Sequence, residues 1–340
     1  MTEVVTRERV FKLMQGYRDT GLLRAAIDLG LFGALAAGPV EAPAVAQRIG
    51  ADPRGTRILL DALSAIGLVQ RIGERFQAAP GAGELLDPSA GPYVGHLAPI
   101  LAGDAEWDAL KTLSDAVRRG GTVAAENAET PGYAYWEDFA KHATFATSPL
   151  AVLIAEILGP WARDREALSV LDVACGHGIY GYTLAAAQPQ ARVTSVDWPN
   201  VLPHTREHAA RLGVLERANF IEGDMFTVPL GGPYDVAMVT NVLHHFSEDR
   251  AVELLQRVHD ALRPDSRLVV VGFTTDDETP EQDPAPYLFS VLMLVWTANG
   301  EVHSVDEYER MFKRAGFRVP MLHRLASMPL SVLIADREVP

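Results

Sequence analysis

The chain has little cysteine: Cys175 is the single one among 340 residues. One thiol cannot close an intrachain disulfide, so the core alone holds the fold, as suits a reducing compartment. As a nucleophile Cys175 would need a nearby base and exposure; a small residue packing a loop is the simpler reading. Apolar runs are short. None approaches the eighteen residues of a membrane span and the amino terminus is not signal-like, so a cytoplasmic protein with no membrane partner is expected. Basic residues are in deficit, Lys plus Arg 30 against Asp plus Glu 44, for a net charge of −14. Phosphate binding needs the opposite sign, which argues against a nucleic-acid partner. No His, Cys, Asp or Glu cluster has metal-ligand spacing, so no metal is expected. What remains is a globular chain, 48% hydrophobic and 22% charged, long enough for two domains.

The segment Val170-Leu-Asp-Val-Ala-Cys-Gly-His-Gly-Ile-Tyr-Gly181 carries the most information. Its apolar half reads as a buried parallel strand, and its glycines as a sharp turn into a helix. Such units bind nucleotide-like cofactors at the carboxyl ends of strands. The glycines Gly176, Gly178 and Gly181 also satisfy G-x-G-x-x-G, with Asp197 at the distance a dinucleotide site would want. Against that reading stands Asp172. A carboxylate there repels a pyrophosphate but not the sulfonium and ammonium of S-adenosylmethionine. Two further strands end in acids. Ala191–Asp197 places a carboxylate where it can accept both ribose hydroxyls. The strand from Ala218 runs into Asp224, Met225 and Phe226, where an acid could meet the adenine amino group and Met225 could cover the ring. A fourth strand from Tyr234 passes through Asn241 into His244 and His245, and a fifth covers Arg267–Phe273. Ordinary strand-end caps are the bland alternative for the acids.

On these motifs the chain resembles the class I S-adenosylmethionine-dependent methyltransferases, and more narrowly the dimeric small-molecule O-methyltransferases of the caffeate, hydroxyindole and polyketide-tailoring kind. Nearly the whole chain takes part: the glycine loop, Asp197, Gly223-Asp-Met-Phe226, the histidine after strand four and Gly300-Glu301 fall in family order. The resemblance implies an α/β fold, with a Rossmann-like seven-stranded methyltransferase sheet whose last strand is antiparallel. An α-helical winged-helix dimerisation domain would precede it. The expected cofactor is S-adenosyl-L-methionine, released as S-adenosyl-L-homocysteine, at Asp172, Gly176, Gly178, Asp197, Trp198, Asp224, Met225, Phe226 and Asn241. His244 aligns with the catalytic histidine, Glu301 with a glutamate that fixes its tautomer, and His245 with the acid that usually follows the histidine. The family's second flanking acid is missing, because Gly272 stands there.

The expected organisation is a dimerisation domain over 1–105, a helical connector over 106–160 that contributes to the substrate pocket, and a catalytic domain over 161–340. In the first, helical spacing of Leu23, Ile27 and Leu31 predicts a helix from Thr20 to Leu35. A short helix ends at Gly50, another follows Asp52-Pro53 with Leu59, Leu63 and Ile66 on one face, and a hairpin turns at Gly73-Glu74. This winged-helix order would suit a DNA-binding regulator, but the groove helix has Asp52 and Asp61 beside its arginines and no Asn, Gln or Lys to read bases. The resemblance implies instead that this module dimerises, so a homodimer is expected. Trp107, Trp136 and Phe145 in the connector, His245, and Leu292, Met293 and Trp296 on the apolar helix 286–297 are the candidate contacts to a small-molecule acceptor. Core packing is the plainer reading of each taken singly. A phenol needs a base near neutral pH, and histidine suits. The expected reaction is O-methylation of a phenolic or enolic hydroxyl on an aromatic or polyketide-type secondary metabolite. C- or N-methylation is the alternative, which the missing acid at Gly272 keeps open.

Overall fold

The computed structural model describes residues 4–275 and 279–338, and the side chains of all of these except 144–146. The chain divides into two compact units, Met1–Asp104 and Ala105–Pro340.

In the first unit, short helices and three short strands enclose a small core of Leu31, Phe32, Leu35, Val45, Leu60, Leu63 and Phe76. The strands β1 (Val40–Glu41), β2 (Val69–Ile72) and β3 (Arg75–Ala78) pair antiparallel in the order β1-β3-β2. Two expectations are corrected. The segment 20–35 is two helices, Tyr17–Asp28 and Leu31–Leu35, because Gly30 adopts φ +62° between them, a left-handed conformation that ends a helix. The helix Pro53–Ala65 buries Thr56, Leu60 and Leu63, not Leu59 or Ile66. Asp52 caps it by accepting from the Gly55 N–H at 2.8 Å, and the buried stripe then runs at i, i+4, i+7 from Thr56. The leading helix Arg7–Gln15 buries nothing, although it carries Phe11, Leu13 and Met14.

The second unit is built on a seven-stranded sheet. Its strands are β4 (Leu168–Val173), β5 (Ala191–Asp197), β6 (Ala218–Glu222), β7 (Tyr234–Thr240), β8 (Leu262–Gly272), β9 (Met321–Arg324) and β10 (Ser331–Asp336). They lie in the order β6-β5-β4-β7-β8-β10-β9, and β10, last in the chain, is antiparallel to both neighbours. All seven residues of β7 are buried, as a central strand covered on both faces requires. Helices Thr144–Arg163 and Ile179–Ala187 cover one face through Leu150, Ile154, Leu158, Tyr182 and Leu184. Helices Glu248–Asp260 and Val305–Arg314 cover the other through Leu254, Leu255, Met311 and Phe312. The chain leaves β4 for β5 on one side and returns to β7 on the other. That reversal opens a crevice at the carboxyl end of β4, where α/β sheets bind ligands. Among the described residues no single helix is long and apolar enough to cross a membrane.

Candidate active site

A cavity occupies that crevice. It is lined by Gly176 and His177 after β4, Asp197 and Trp198 after β5, Asp224, Met225 and Phe226 after β6, and Asn241 and His245 after β7. The backbone is strained at its mouth. Ala174 and Asn241, the non-glycine residues with positive φ (51° and 54°), follow the two strands that flank the crevice. Asn241 is held there from both ends: its N–H donates to the Val271 carbonyl at 2.7 Å and its amide to the Tyr180 hydroxyl at 3.1 Å.

The glycine loop is locked by His177. The Nδ1 accepts from the Ile179 N–H at 3.1 Å, so the proton lies on Nε2, which meets the Thr147 hydroxyl at 3.2 Å. Burial, with His208 adding, pulls the imidazole down to about 3, so it stays neutral. Gly178 permits the turn, since a Cβ there would sit 2.3 Å from the Tyr182 ring. Across the loop Asp197 accepts from the N–H groups of Gly176 and Trp198, both at 2.7 Å. Burial raises its carboxyl to about 6, against the pull of those two bonds.

The charges of the wall decide between ligands. Glu129, Asp197 and Asp224 face the cavity against one cation, Arg250. Arg250 lies 3.6 Å over the Phe226 ring and is bonded to Glu253. Such a wall disfavours a pyrophosphate and accepts a ligand with positive centres. Asp172 lies behind the lining, wholly buried, with neither oxygen in a hydrogen bond although the Gly181 backbone faces it. Burial pushes its carboxyl well up, and the Asp197 charge adds to the push. Asp197 and Asp224, the aspartates that do face the cavity, fit a cationic ligand and could accept from its hydroxyl and amino groups.

One wall of the cavity is aromatic. Trp136 stands edge-on to His245 at 5.2 Å and donates its indole N–H to the Ala128 carbonyl at 3.0 Å. His244 does not line this cavity. It lies in the turn Leu243–His245 after β7, 3% exposed, its ring edge-on to Phe289 at 4.9 Å and its Nδ1 without a partner. Burial holds it well below the usual imidazole range, helped by His245 and His303, so it is neutral at physiological pH. Gly300 must be glycine, because a Cβ there would lie 2.5 Å from the His244 carbonyl. It brings the Gly300-Glu301 segment against the histidine backbone. Glu301 itself is exposed, lines a second cavity with Tyr287, Ser290 and Leu294, and makes no hydrogen bond to His244. Of the other candidates, Met293 and Trp296 are buried and Leu292 and Trp107 half-buried, and none of the four lines either cavity. The Phe145 side chain lies outside the described residues.

Sequence reasoning missed Tyr180, His177, Phe139 and Arg250. The first two sit inside the glycine motif and were legible as its variable positions; for Phe139 and Arg250 no local pattern marks a cavity wall. Among the described residues no group of His, Cys, Asp and Glu could hold a metal ion.

The comparisons with known proteins agree with this geometry. Residues 146–318 match the O-methyltransferase domain and 11–87 the O-methyltransferase dimerisation domain. The tetracenomycin polyketide synthesis 8-O-methyltransferase TcmO of Streptomyces glaucescens is 30% identical over 91% of this chain and 90% of its own. Mouse acetylserotonin O-methyltransferase is 30% identical over 94% and 86%. A crystal structure from Nostoc punctiforme assigned to the O-methyltransferases superposes with a TM-score of 0.92 at 30% identity, covering 98% of this chain and all of the other. None of this supports a DNA-binding role for the first unit. The chain belongs to the S-adenosylmethionine-dependent O-methyltransferases that carry an amino-terminal dimerisation domain.

Proposed function

We propose that the enzyme methylates a phenolic or enolic hydroxyl of a small aromatic or polyketide-type acceptor, with His244 as general base. The observation that carries this reading is a neutral, buried imidazole at the carboxyl edge of β7, beside an acid-walled cavity. Asp197 would hold the ribose hydroxyls, Asp224 the adenine amino group, and Met225 and Phe226 the ring face. S-adenosylmethionine, when bound, would supply an electrophilic methyl group on a sulfonium that leaves as a neutral thioether. The protein's part is to set the acceptor oxygen in line, exclude water, and take the hydroxyl proton on an imidazole nitrogen. A histidine with a depressed pKa is a modest base, which matches an acceptor hydroxyl that is itself acidic. The polyketide substrate class of TcmO is consistent with this chemistry.

A mass-spectrometric screen of hydroxylated aromatic, polyketide and keto-acid acceptors for a gain of about fourteen daltons, the mass of an added methylene, tests the reading. Methylated hydroxyls support it; exclusive methylation at nitrogen or carbon would replace it with the alternative that Gly272 raises. The protein is read as a homodimer through the first unit, where Phe11, Leu13 and Met14 lie on a helix that buries nothing in its own chain. Light scattering at micromolar concentration should give twice the 36.9 kDa chain mass, and a monomer would overturn it.

A further inference from the structure

Two buried polar atoms without partners converge on one point. His244 Nδ1 and the Tyr308 hydroxyl each lack a hydrogen bond, in residues 3% and 0% exposed. They come from separate elements, the turn after β7 and the helix Val305–Arg314. Between them stands Gly272, at the end of β8. A Cβ on Gly272 would lie 3.0 Å from the Tyr308 oxygen and 3.8 Å from His244 Nδ1, and beyond its chain neighbours nothing else would come within 4 Å. With no side chain at Gly272, the two unpaired polar atoms flank the same stretch of backbone with no Cβ between them. The other ring beside Tyr308 is already engaged, because His303 Nε2 meets the Phe246 carbonyl at 3.1 Å.

We propose that Tyr308 is the positioning residue of His244. Its hydroxyl oxygen accepts the Nδ1–H through one bridging water, and so leaves Nε2 unprotonated to take the acceptor's proton. The proposal rests on the reading of His244 as the base. It replaces a carboxylate with a phenol, which sets the tautomer but stabilises the imidazolium less, so the partnership favours acidic acceptor hydroxyls. A water at that point has polar partners on both sides, as buried waters require.

Long-range proton–nitrogen spectra of histidine-labelled enzyme test the pairing without any acceptor, the His244 signals being those lost in His244→Ala. Wild type should show Nδ1 protonated. Tyr308→Phe, which keeps the ring packing, should give mixed or Nε2-protonated His244, and Gly272→Ala, whose methyl would press on the Tyr308 oxygen, should do the same if the first variant folds poorly. With an acceptor from the screen, Tyr308→Phe should lower kcat roughly tenfold with KM and cofactor affinity within about twofold, and should cost nothing further in the His244→Ala background. An unchanged tautomer in both variants, or an equal loss in both backgrounds, would overturn the proposal. Normal turnover in His244→Ala alone would instead sink the base assignment, with the tautomer experiment still deciding the pairing.

Discussion

The two ends of the site are built differently. On the side where we place the cofactor, Gly176 follows β4, Asp197 ends β5, Asp224 follows β6 and Asn241 follows β7. The sheet fixes where they point, and parallel register brings successive strand ends to one edge. On the side where we place the acceptor, the groups come from helices and turns of remote sequence: Trp136, His244, Phe289, Tyr308. Their meeting is decided by packing, such as the Phe273–Phe289 stack at 4.3 Å and the glycine at 300. A sheet edge is therefore a rigid frame shared across a fold, whereas the acceptor wall is free to change with substrate.

Substitutions at the two ends should separate binding from chemistry. The largest effect is expected at His244. His244→Ala should cut turnover by roughly 10²–10⁴-fold while calorimetric affinity for S-adenosylmethionine stays nearly unchanged; the volume-keeping His244→Gln should lose as much. The groups facing the ring are His245, His303 and Tyr308. With the imidazole pKa lowered by burial, the base is ready throughout the neutral range, so kcat should be flat there and fall only well below pH 6.5. A limb centred on the ordinary histidine value would mean that the ring is solvated during turnover.

Asp197 should show the opposite pattern. Asp197→Ala removes a charged acceptor of two hydroxyl bonds, so cofactor binding should weaken by about 1.5–3 kcal/mol, roughly 10–100-fold in Kd, with turnover at saturation less affected. The sign of its pH dependence follows from a carboxyl raised to about 6. Below that value Asp197 is protonated and a poorer acceptor; above it the carboxylate is formed. Affinity should therefore rise with pH through about 6, and the Asp197→Ala variant should lose that rise. An unchanged profile in the variant would assign the titration to another group.

How much was legible follows the same division. β5 spans Ala191–Asp197 as expected, and the acids at the end of β5 and just beyond β6 reach the cavity because a strand's end needs no tertiary information beyond the sheet. Asp172 was read as a charge at the ligand, yet it is interior to β4 and lies behind the loop. Sequence spacing cannot tell an acid beside a cavity from one beneath it. Leu292, Met293 and Trp296 share a helix side, but periodicity marks a buried face without saying whether protein or ligand covers it. Tyr308 was invisible for the same reason: on a helix with a strong apolar stripe it reads as core, and its hydroxyl matters only because a glycine from β8 stops short of it.

The smallest effect is expected at Glu301, and it sharpens the comparison most. If a carboxylate from this segment fixed the histidine, Glu301→Gln should approach the loss of His244→Ala, since an amide stabilises an imidazolium poorly. The geometry argues otherwise. Glu301 is exposed, in the second cavity, and His244 Nδ1 faces Gly272 and Tyr308 instead. Glu301→Gln should then change kcat by no more than about two- to fivefold, the size of a screened surface charge, and should leave the His244 tautomer untouched. Gly300→Ala, one residue away, should be far worse despite altering no polar group, because its methyl would drive into the His244 carbonyl. Steady-state kinetics of the two variants side by side gives the ranking. A Glu301 variant as damaged as the Gly300 variant would show that the carboxylate swings inward in the working enzyme, and the acceptor wall would then owe its chemistry to a charge rather than to packing.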